Sequence, residues 1–268
     1  MRRIITAALS LTVLSSPAAA RVERIEILSR QDFASGIEFG DAGAYEKLRG
    51  RAFFALDPNA AANAPVTDLK LAPRDARGLV EFSAEFLVLR PKVAARGNGT
   101  LLYEVNNRGN IAILRQLHEA SFSNDPATVA DAGNGFLFRR GVTLAWSAWA
   151  TDVATRPGDS RLVLRAPIAT KDGAPVTGKV AYELIVDAPR ATARFTGLLG
   201  TAYPVANDGD PDLVLTERQR REDERRLIPR AAWSFVGRSE DGAASEIALD
   251  GGFKPGRIYE LVYMARDP

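Results

Sequence analysis

The sequence predicts an α/β fold with a large β-rich portion: early strands of one sheet, a single crossover helix, and then an antiparallel β module. Three observations predict this fold class. Residues 100–149 read as a strand, a loop, a helix and a second strand. Before that unit, apolar and polar residues alternate with the period of two that strands have. After residue 157, short apolar runs are separated by glycine-containing turns, which is typical of antiparallel sheets.

The first strands follow from local patterns. Residues 22–28 place valine, isoleucine and leucine between charged residues, and residues 80–89 follow the period-two pattern of a strand before Arg90 and Pro91 end the run. Residues 100–105 are almost continuously apolar, as expected of a parallel strand that is covered on both faces. The loop of residues 106–109 closes this third strand.

A crossover helix is predicted next. Asn124 or Asp125 can cap it, Pro126 is its first residue, and Gly141 stands where a C-terminal cap belongs. Inside it, one apolar stripe faces the sheet, formed by Val129, Ala132, Gly133, Phe136 and Leu137. Residues 142–149 return as a strand, so strand, helix and strand form a right-handed parallel crossover.

The second half is predicted as short strands at residues 162–164, 180–186, 193–195, 232–236 and 258–264, with turns at 171–173 and 251–252. The chain therefore divides into a signal peptide (1–20), an N-terminal β-rich segment (21–76), the strand and crossover unit (77–152) and an antiparallel β-rich module (153–268).

The first twenty residues predict export. Arg2 and Arg3 precede an apolar run at 4–14, and three alanines at 18–20 supply a small-residue cleavage site. We expect cleavage near Ala20 and a periplasmic or secreted protein. No later segment approaches the roughly 20 apolar residues of a membrane helix, so no membrane span is predicted.

Composition excludes several classes of partner and cofactor. Cleavage removes two of 35 Lys and Arg residues and leaves 33 against 33 Asp and Glu, and no nucleic-acid motif is present. With zero Cys, the chain offers neither disulfides nor a thiolate. Asp208, Asp210 and Asp212 alternate as in a calcium loop but lack the rest of the twelve-residue motif, which favours a plain turn. No metal, no cofactor and no nucleic-acid partner are predicted.

Several motifs together resemble a family of large secreted bacterial proteins with an α/β-hydrolase domain. They lie at residues 78–84, 99–109, 123–126, 131–137, 228–230 and 251–260. The resemblance implies an incomplete α/β-hydrolase sheet that a β-rich stretch interrupts, with the catalytic half following a segment like residues 263–268. One departure is residues 147–152, where the family pattern has glycines beside the tryptophan.

The catalytic residues of such a hydrolase are missing from the sequence. It needs Ser in Gly-x-Ser-x-Gly, followed by an acid and then a His. The nearest match, residues 237–241, lacks the second glycine. The only histidine, His118, precedes every candidate serine, and we expect it on the surface of a short helix with Ile111 and Leu114. No catalytic residue is therefore predicted.

The resemblance places an oxyanion loop at Asn106, Asn107, Arg108 and Gly109, because the loop after the third strand of such proteins supplies a backbone N–H to the developing negative charge. A strand-ending turn is the alternative for these turn-favouring residues. Arg108 has two further possible roles: binding a substrate carboxylate, or a salt bridge to Glu104 or Glu119.

The predicted function is the N-terminal portion of an exported ester or amide hydrolase that is not catalytic alone. A small-molecule ester or amide is its substrate only if the missing half is supplied. Without that half, we expect the strand at 142–149 to be left as an open apolar edge. The alternative is a stand-alone periplasmic β-rich binding or structural module. A third interpretation, a hydrolase that uses Asp and Glu pairs as glycosidases do, is the weakest, because one sequence gives no carboxylate separations. No oligomeric state is predicted.

Overall fold

Strands from the first half of the chain form one sheet. The computed structural model describes residues 20–153, 158, 160–195, 203–238, 242 and 244–266, so of the predicted signal peptide only Ala20 is described. The strands of this first sheet are β1 (Ala20–Asp32), β2 (Tyr45–Leu56), β3 (Val80–Pro91), β4 (Leu101–Tyr103), β5 (Thr143–Ser147) and β6 (Leu164–Arg165).

The spatial order of the first sheet is β1-β2-β3-β5-β4, and β6 pairs with β3 at Ser83 and Ala84. Strands β1, β2 and β3 are an antiparallel meander, and β5 runs antiparallel to β3. Strand β4 runs parallel to β5, so the predicted parallel pair is confirmed. The expectation that β5 is an open edge is wrong, because β4 covers it and forms the edge instead.

One face of the sheet builds the first hydrophobic core. Leu87 and Leu89 of β3 alternate with residues of the other face, as do Leu144 and Trp146 of β5, and all four are at most 1% exposed. The ring of Phe138 packs edge-on against Tyr45 at the start of β2, with 4.9 Å between centroids. The connection between β4 and β5 covers this face of the sheet, because its apolar residues, such as Phe138, belong to this core.

The predicted α/β fold class is wrong. Strands account for 44% of the described residues and helices, counting 3₁₀ turns, for 14%. The described residues contain two short α-helices, α1 (Ile113–His118) and α2 (Val129–Ala132). The sheets are antiparallel apart from the pairing of β4 with β5, so a mixed fold of the α/β-hydrolase type is not supported.

Two glycines explain why the predicted crossover helix does not continue beyond the single turn of α2. Helix α2 begins at a capping box of Thr128 and Asp131 and ends after one turn. Gly133 and Gly135 then take φ values of 54° and 65°, which no helical residue has. A Cβ added to Gly133 would lie 2.0 Å from the carbonyl oxygen of His118, so this close backbone approach requires glycine.

Short 3₁₀ helices make up the remaining helical residues. They are Phe33–Gly36, Gly40–Ala42, Ala61–Asn63, Leu69–Leu71, Ala94–Arg96, Phe138–Arg140 and Arg230–Ala232.

The second half forms antiparallel sheets with a core of their own. Its strands are β7 (Thr170–Lys171), β8 (Ala174–Pro175), β9 (Thr177–Ile185), β10 (Arg190–Arg194), β11 (Val214–Arg218), β12 (Arg226–Ile228), β13 (Trp233–Arg238), β14 (Ala244–Phe253) and β15 (Ile258–Arg266).

These strands pair in the orders β12-β11-β15-β9, β10-β14-β13 and β7-β8. Phe195, Leu215, Ile247, Phe253 and Leu261 are 0% exposed between them. Across the whole described part of the chain, no helix has the length and apolar character needed to cross a membrane.

Candidate functional site

The candidate loop, residues 106–109, follows β4 at the edge of the first sheet. Because β4 and β5 are parallel, their C-terminal ends lie side by side, and the segments that follow them meet. Asn106 is 1% exposed and is anchored to β5, since its Nδ2 donates a hydrogen bond to the Ser147 carbonyl at 2.7 Å. Its Oδ1 accepts the Gly109 N–H at 2.7 Å, which closes the loop on itself.

The segment after β5 holds the loop from the other side. Trp149 donates its indole N–H to the Asn106 carbonyl at 2.6 Å. Asp152 forms an ion pair with Arg108 at 2.7 Å, and the Asp152 carbonyl accepts a second hydrogen bond from the same guanidinium at 2.9 Å. Arg108 therefore pairs with Asp152, and the two salt-bridge partners expected from the sequence, Glu104 and Glu119, were wrong.

Arg108 has an unusual backbone conformation. Its φ is 49°, in the left-handed region that a residue with a Cβ adopts at a cost. The neighbouring Gly109 has φ 81°, and a Cβ there would come within 2.5 Å of the Leu162 carbonyl oxygen. Such conformations persist where surrounding contacts over-determine them, and they cluster at functional sites.

The N–H groups of the loop differ in what they contact. The Asn107 N–H donates to the Asn110 carbonyl at 2.9 Å, and the Gly109 N–H is used by Asn106. The Arg108 N–H has no hydrogen-bond acceptor among the described residues. The Asn106 N–H also lacks an acceptor among the described residues, but Asn106 is 1% exposed whereas Arg108 is half-buried, so the Arg108 N–H is the free donor that an anion from solvent can reach.

Glu104, just before the loop, binds three N–H groups. Its carboxylate accepts the backbone N–H of Ala112 at 2.9 Å and of Ile113 at 3.1 Å, at the start of α1. It also accepts the indole N–H of Trp146 at 2.5 Å. The carboxylate is thus a clasp between β5 and α1, and its oxygens are occupied.

His118 is a core residue. The prediction that it lies on α1 is confirmed, but the expected surface position is wrong, since its exposure is 0%. Its Nε2 accepts the Leu137 N–H at 3.3 Å, which leaves Nδ1 to donate to the Ala132 carbonyl at 3.2 Å. Burial lowers the pKa of His118 below its ordinary value, with the nearby Arg139 charge acting in the same direction and the Ala132 bond opposing it.

The aspartate-rich loop of the second half is a turn. Asn207 Oδ1 accepts the Gly209 N–H at 3.0 Å, Asp210 Oδ1 accepts the Asp212 N–H at 2.9 Å, and Asp208 forms an ion pair with Arg238. Within the described ranges, no three His, Cys, Asp or Glu residues are placed to hold a metal ion. Ser239, of the nearest elbow-like sequence, lies outside the described residues.

The outward face of β4 is apolar and exposed. Leu101 is 61% exposed, Tyr103 is 46% exposed, and Val105 just beyond the strand is 72% exposed. Only the Tyr103 hydroxyl has a polar contact, a hydrogen bond of 2.7 Å with the hydroxyl of Ser147. In the described part of the chain, β4 has β5 as its single strand neighbour, so its other edge is open.

Sequence patterns predicted the position of the loop but missed what holds it. Asp152 and Trp149 lie more than forty residues away from it in the chain. The only available signal was that residues 147–152 depart from the family pattern. Comparison with known proteins found no matching family model, no matching curated protein and no matching solved structure. The family resemblance therefore stays a prediction.

Proposed function

We propose that this chain is the non-nucleophilic portion of an exported hydrolase of the ester or amide class. In this proposal, which keeps the resemblance to proteins with an α/β-hydrolase domain, the chain contributes an oxyanion donor, and further polypeptide contributes the serine, the acid and the histidine. A small ester or amide is then a substrate only of the completed protein.

The Arg108 N–H is the observation that carries the proposal. It lies in a left-handed residue at the end of a parallel edge strand, and it has no acceptor among the described residues. Oxyanion sites use preorganised N–H donors, whose direction is fixed before charge develops. Asn106, Trp149 and Asp152 supply that preorganisation through their hydrogen bonds and ion pair with the loop.

The open edge of β4 supports the same proposal. A strand edge with exposed N–H and C=O groups is a template for a further strand. Leu101, Tyr103 and Val105 offer an apolar surface beside it. We propose that the occupant is a parallel strand of the nucleophile-bearing polypeptide, because such a strand would bring its C-terminal end next to residues 106–109.

The second candidate function is a stand-alone periplasmic β-rich binding or structural module. The observation that favours it is the separate core of the second half, in which Phe195, Ile247 and Leu261 are fully buried. Under this alternative, the edge of β4 has no role in activity.

Two matched variants separate the candidates. We would express this chain together with whatever its gene encodes in frame after Pro268, and measure hydrolysis of p-nitrophenyl acetate. Leu101→Lys on β4 and Ile25→Lys on the opposite edge strand change side chains of nearly equal exposure, 61% and 60%. We expect activity in the extended protein, its loss with Leu101→Lys, and its retention with Ile25→Lys.

Equal effects of the two substitutions would contradict the assignment of β4. An extended protein that folds and hydrolyses no ester or amide would favour the binding module.

A further inference from the structure

A cleft of about 600 Å³ lies between the two halves of the protein, away from the candidate loop. The first sheet contributes Val80 and Phe82 to its wall, and the 3₁₀ helix that begins at Leu69 forms one side. The second half contributes Val176 and Val180. Its volume is in the range of pockets that bind small molecules, roughly 300–1,000 Å³, and such pockets are mostly apolar with a few polar groups.

One cationic group lies in this apolar wall. Arg266, the last residue of β15, is partly buried, and its side chain makes no ion pair with the described residues. Its backbone is held on both sides, since its N–H donates to the Pro204 carbonyl at 3.0 Å and it pairs with Thr177 of β9. A guanidinium beside an apolar wall, with no carboxylate partner among the described residues, gains from a counter-ion.

Asp68 also lines the cleft but is exposed, so water already solvates its carboxylate. Arg266, the less exposed of the two charged residues, therefore decides the sign of charge that the cleft prefers. Arginine presents two parallel N–H groups to a carboxylate, which adds geometric selectivity to the charge.

We propose that the cleft binds an amphipathic carboxylate, with its apolar body between the two halves and its carboxylate on Arg266. The site is independent of the loop at residues 106–109 and of the proposed hydrolase function. It makes the junction between the two halves a ligand-binding site.

The test compares three ligands that share one apolar body. Decanoate, decan-1-ol and decylammonium, each below its micelle concentration, would be titrated into the purified protein by calorimetry. We expect decanoate to bind roughly ten- to a hundredfold more tightly than decan-1-ol, the range for one charge-assisted contact. Arg266→Gln should make decanoate and decan-1-ol bind equally.

Two further variants control for folding and for general charge effects. Arg257→Gln removes another partly buried arginine of the second half that does not line this cleft, and should leave decanoate binding unchanged. Gly178→Trp should block all three ligands, because Gly178 lines the cleft and a Cβ added there meets no atom within 4 Å. Gly209→Trp, in an exposed turn, is its control.

Any of the following results with the ligands or the arginine variants would overturn the proposal: no binding of decanoate, equal binding of decanoate and decan-1-ol by the unaltered protein, tightest binding of decylammonium, or equal losses with Arg266→Gln and Arg257→Gln. Retention of decanoate binding by Gly178→Trp would place the ligand outside this cleft and would also overturn it.

Discussion

The side-chain oxygen of Asn106 accepts the Gly109 N–H at 2.7 Å, and this bond closes the loop that follows β4. The same side chain donates to the Ser147 carbonyl on β5. One buried amide thus ties the loop both to itself and to the neighbouring strand, which leaves the N–H of Arg108, between the bonded residues, pointing at no acceptor in the described structure.

Replacing Asn106 should destabilise the protein strongly. Asn106→Ala leaves the Gly109 N–H and the Ser147 carbonyl without their partners in a buried place, and an unsatisfied buried group costs about 1–3 kcal/mol. We expect a loss of about 2–4 kcal/mol in the free energy of unfolding by urea. The matched control is Asn107→Ala, which changes an exposed side chain and should cost less than about 0.5 kcal/mol. Equal losses would show that Asn106 does not anchor the loop.

The hydrogen bonds of the Glu104 clasp lead to a second prediction, on the unfolding free energies of two matched variants. Glu104→Gln replaces an accepting oxygen by an NH₂ group that faces N–H donors, of Trp146, Ala112 and Ile113. We expect a loss of about 2 kcal/mol in unfolding free energy, because hydrogen bonds to charged groups contribute about 1.5–3 kcal/mol. The exposed Glu119 is the control, and Glu119→Gln should be close to neutral. A neutral Glu104→Gln would contradict the clasp.

His118 predicts a pH dependence of stability. Burial holds the pKa of His118 below its ordinary value of 6.5, so the unfolded chain takes up the proton first as the pH falls. The stability that depends on a neutral His118 is therefore fully present above pH 6.5, and it is lost as the pH falls from 6.5 through the lower pKa that His118 has in the folded state. We expect the free energy of unfolding to fall between pH 6.5 and pH 5, before the carboxylates titrate.

This slope belongs to one residue, because the chain has a single histidine. His118→Gln should lower stability at neutral pH and remove the slope between pH 6.5 and pH 5. A slope that persists in the variant would assign it to another group.

Tyr263 is expected to make the stability of the protein depend on pH in the alkaline range. Its hydroxyl donates to the Tyr203 carbonyl at 2.8 Å, and burial, with a smaller contribution from Tyr182, raises the pKa of Tyr263 to about 12. Because the folded pKa lies above the unfolded value of 10.0, the stability is present below pH 10 and is lost as the pH rises through about 12. Tyr263→Phe should lessen the loss of unfolding free energy over that range. An unchanged alkaline slope would contradict this assignment.

Local patterns in the sequence were enough to predict β1, β3, β4 and β5, because alternation and apolar runs are properties of neighbouring residues. The predicted crossover helix was wrong for a non-local reason. Its apolar residues have the spacing of a helix, but the backbone of Gly133 lies against the His118 carbonyl, which is distant in the sequence. The position of the loop was predictable from its place after β4. Its ion pair between Arg108 and Asp152 was not, because it joins residues that only the sheet brings together.

The most direct test of the central proposal is covalent labelling of the extended protein by a fluorophosphonate probe, with the modified serine mapped by mass spectrometry. We predict stoichiometric labelling of one serine in the polypeptide after Pro268, and no labelling when residues 21–268 are tested alone. Stoichiometric labelling of a serine within residues 21–268 would contradict the proposal, because this chain would then carry its own nucleophile.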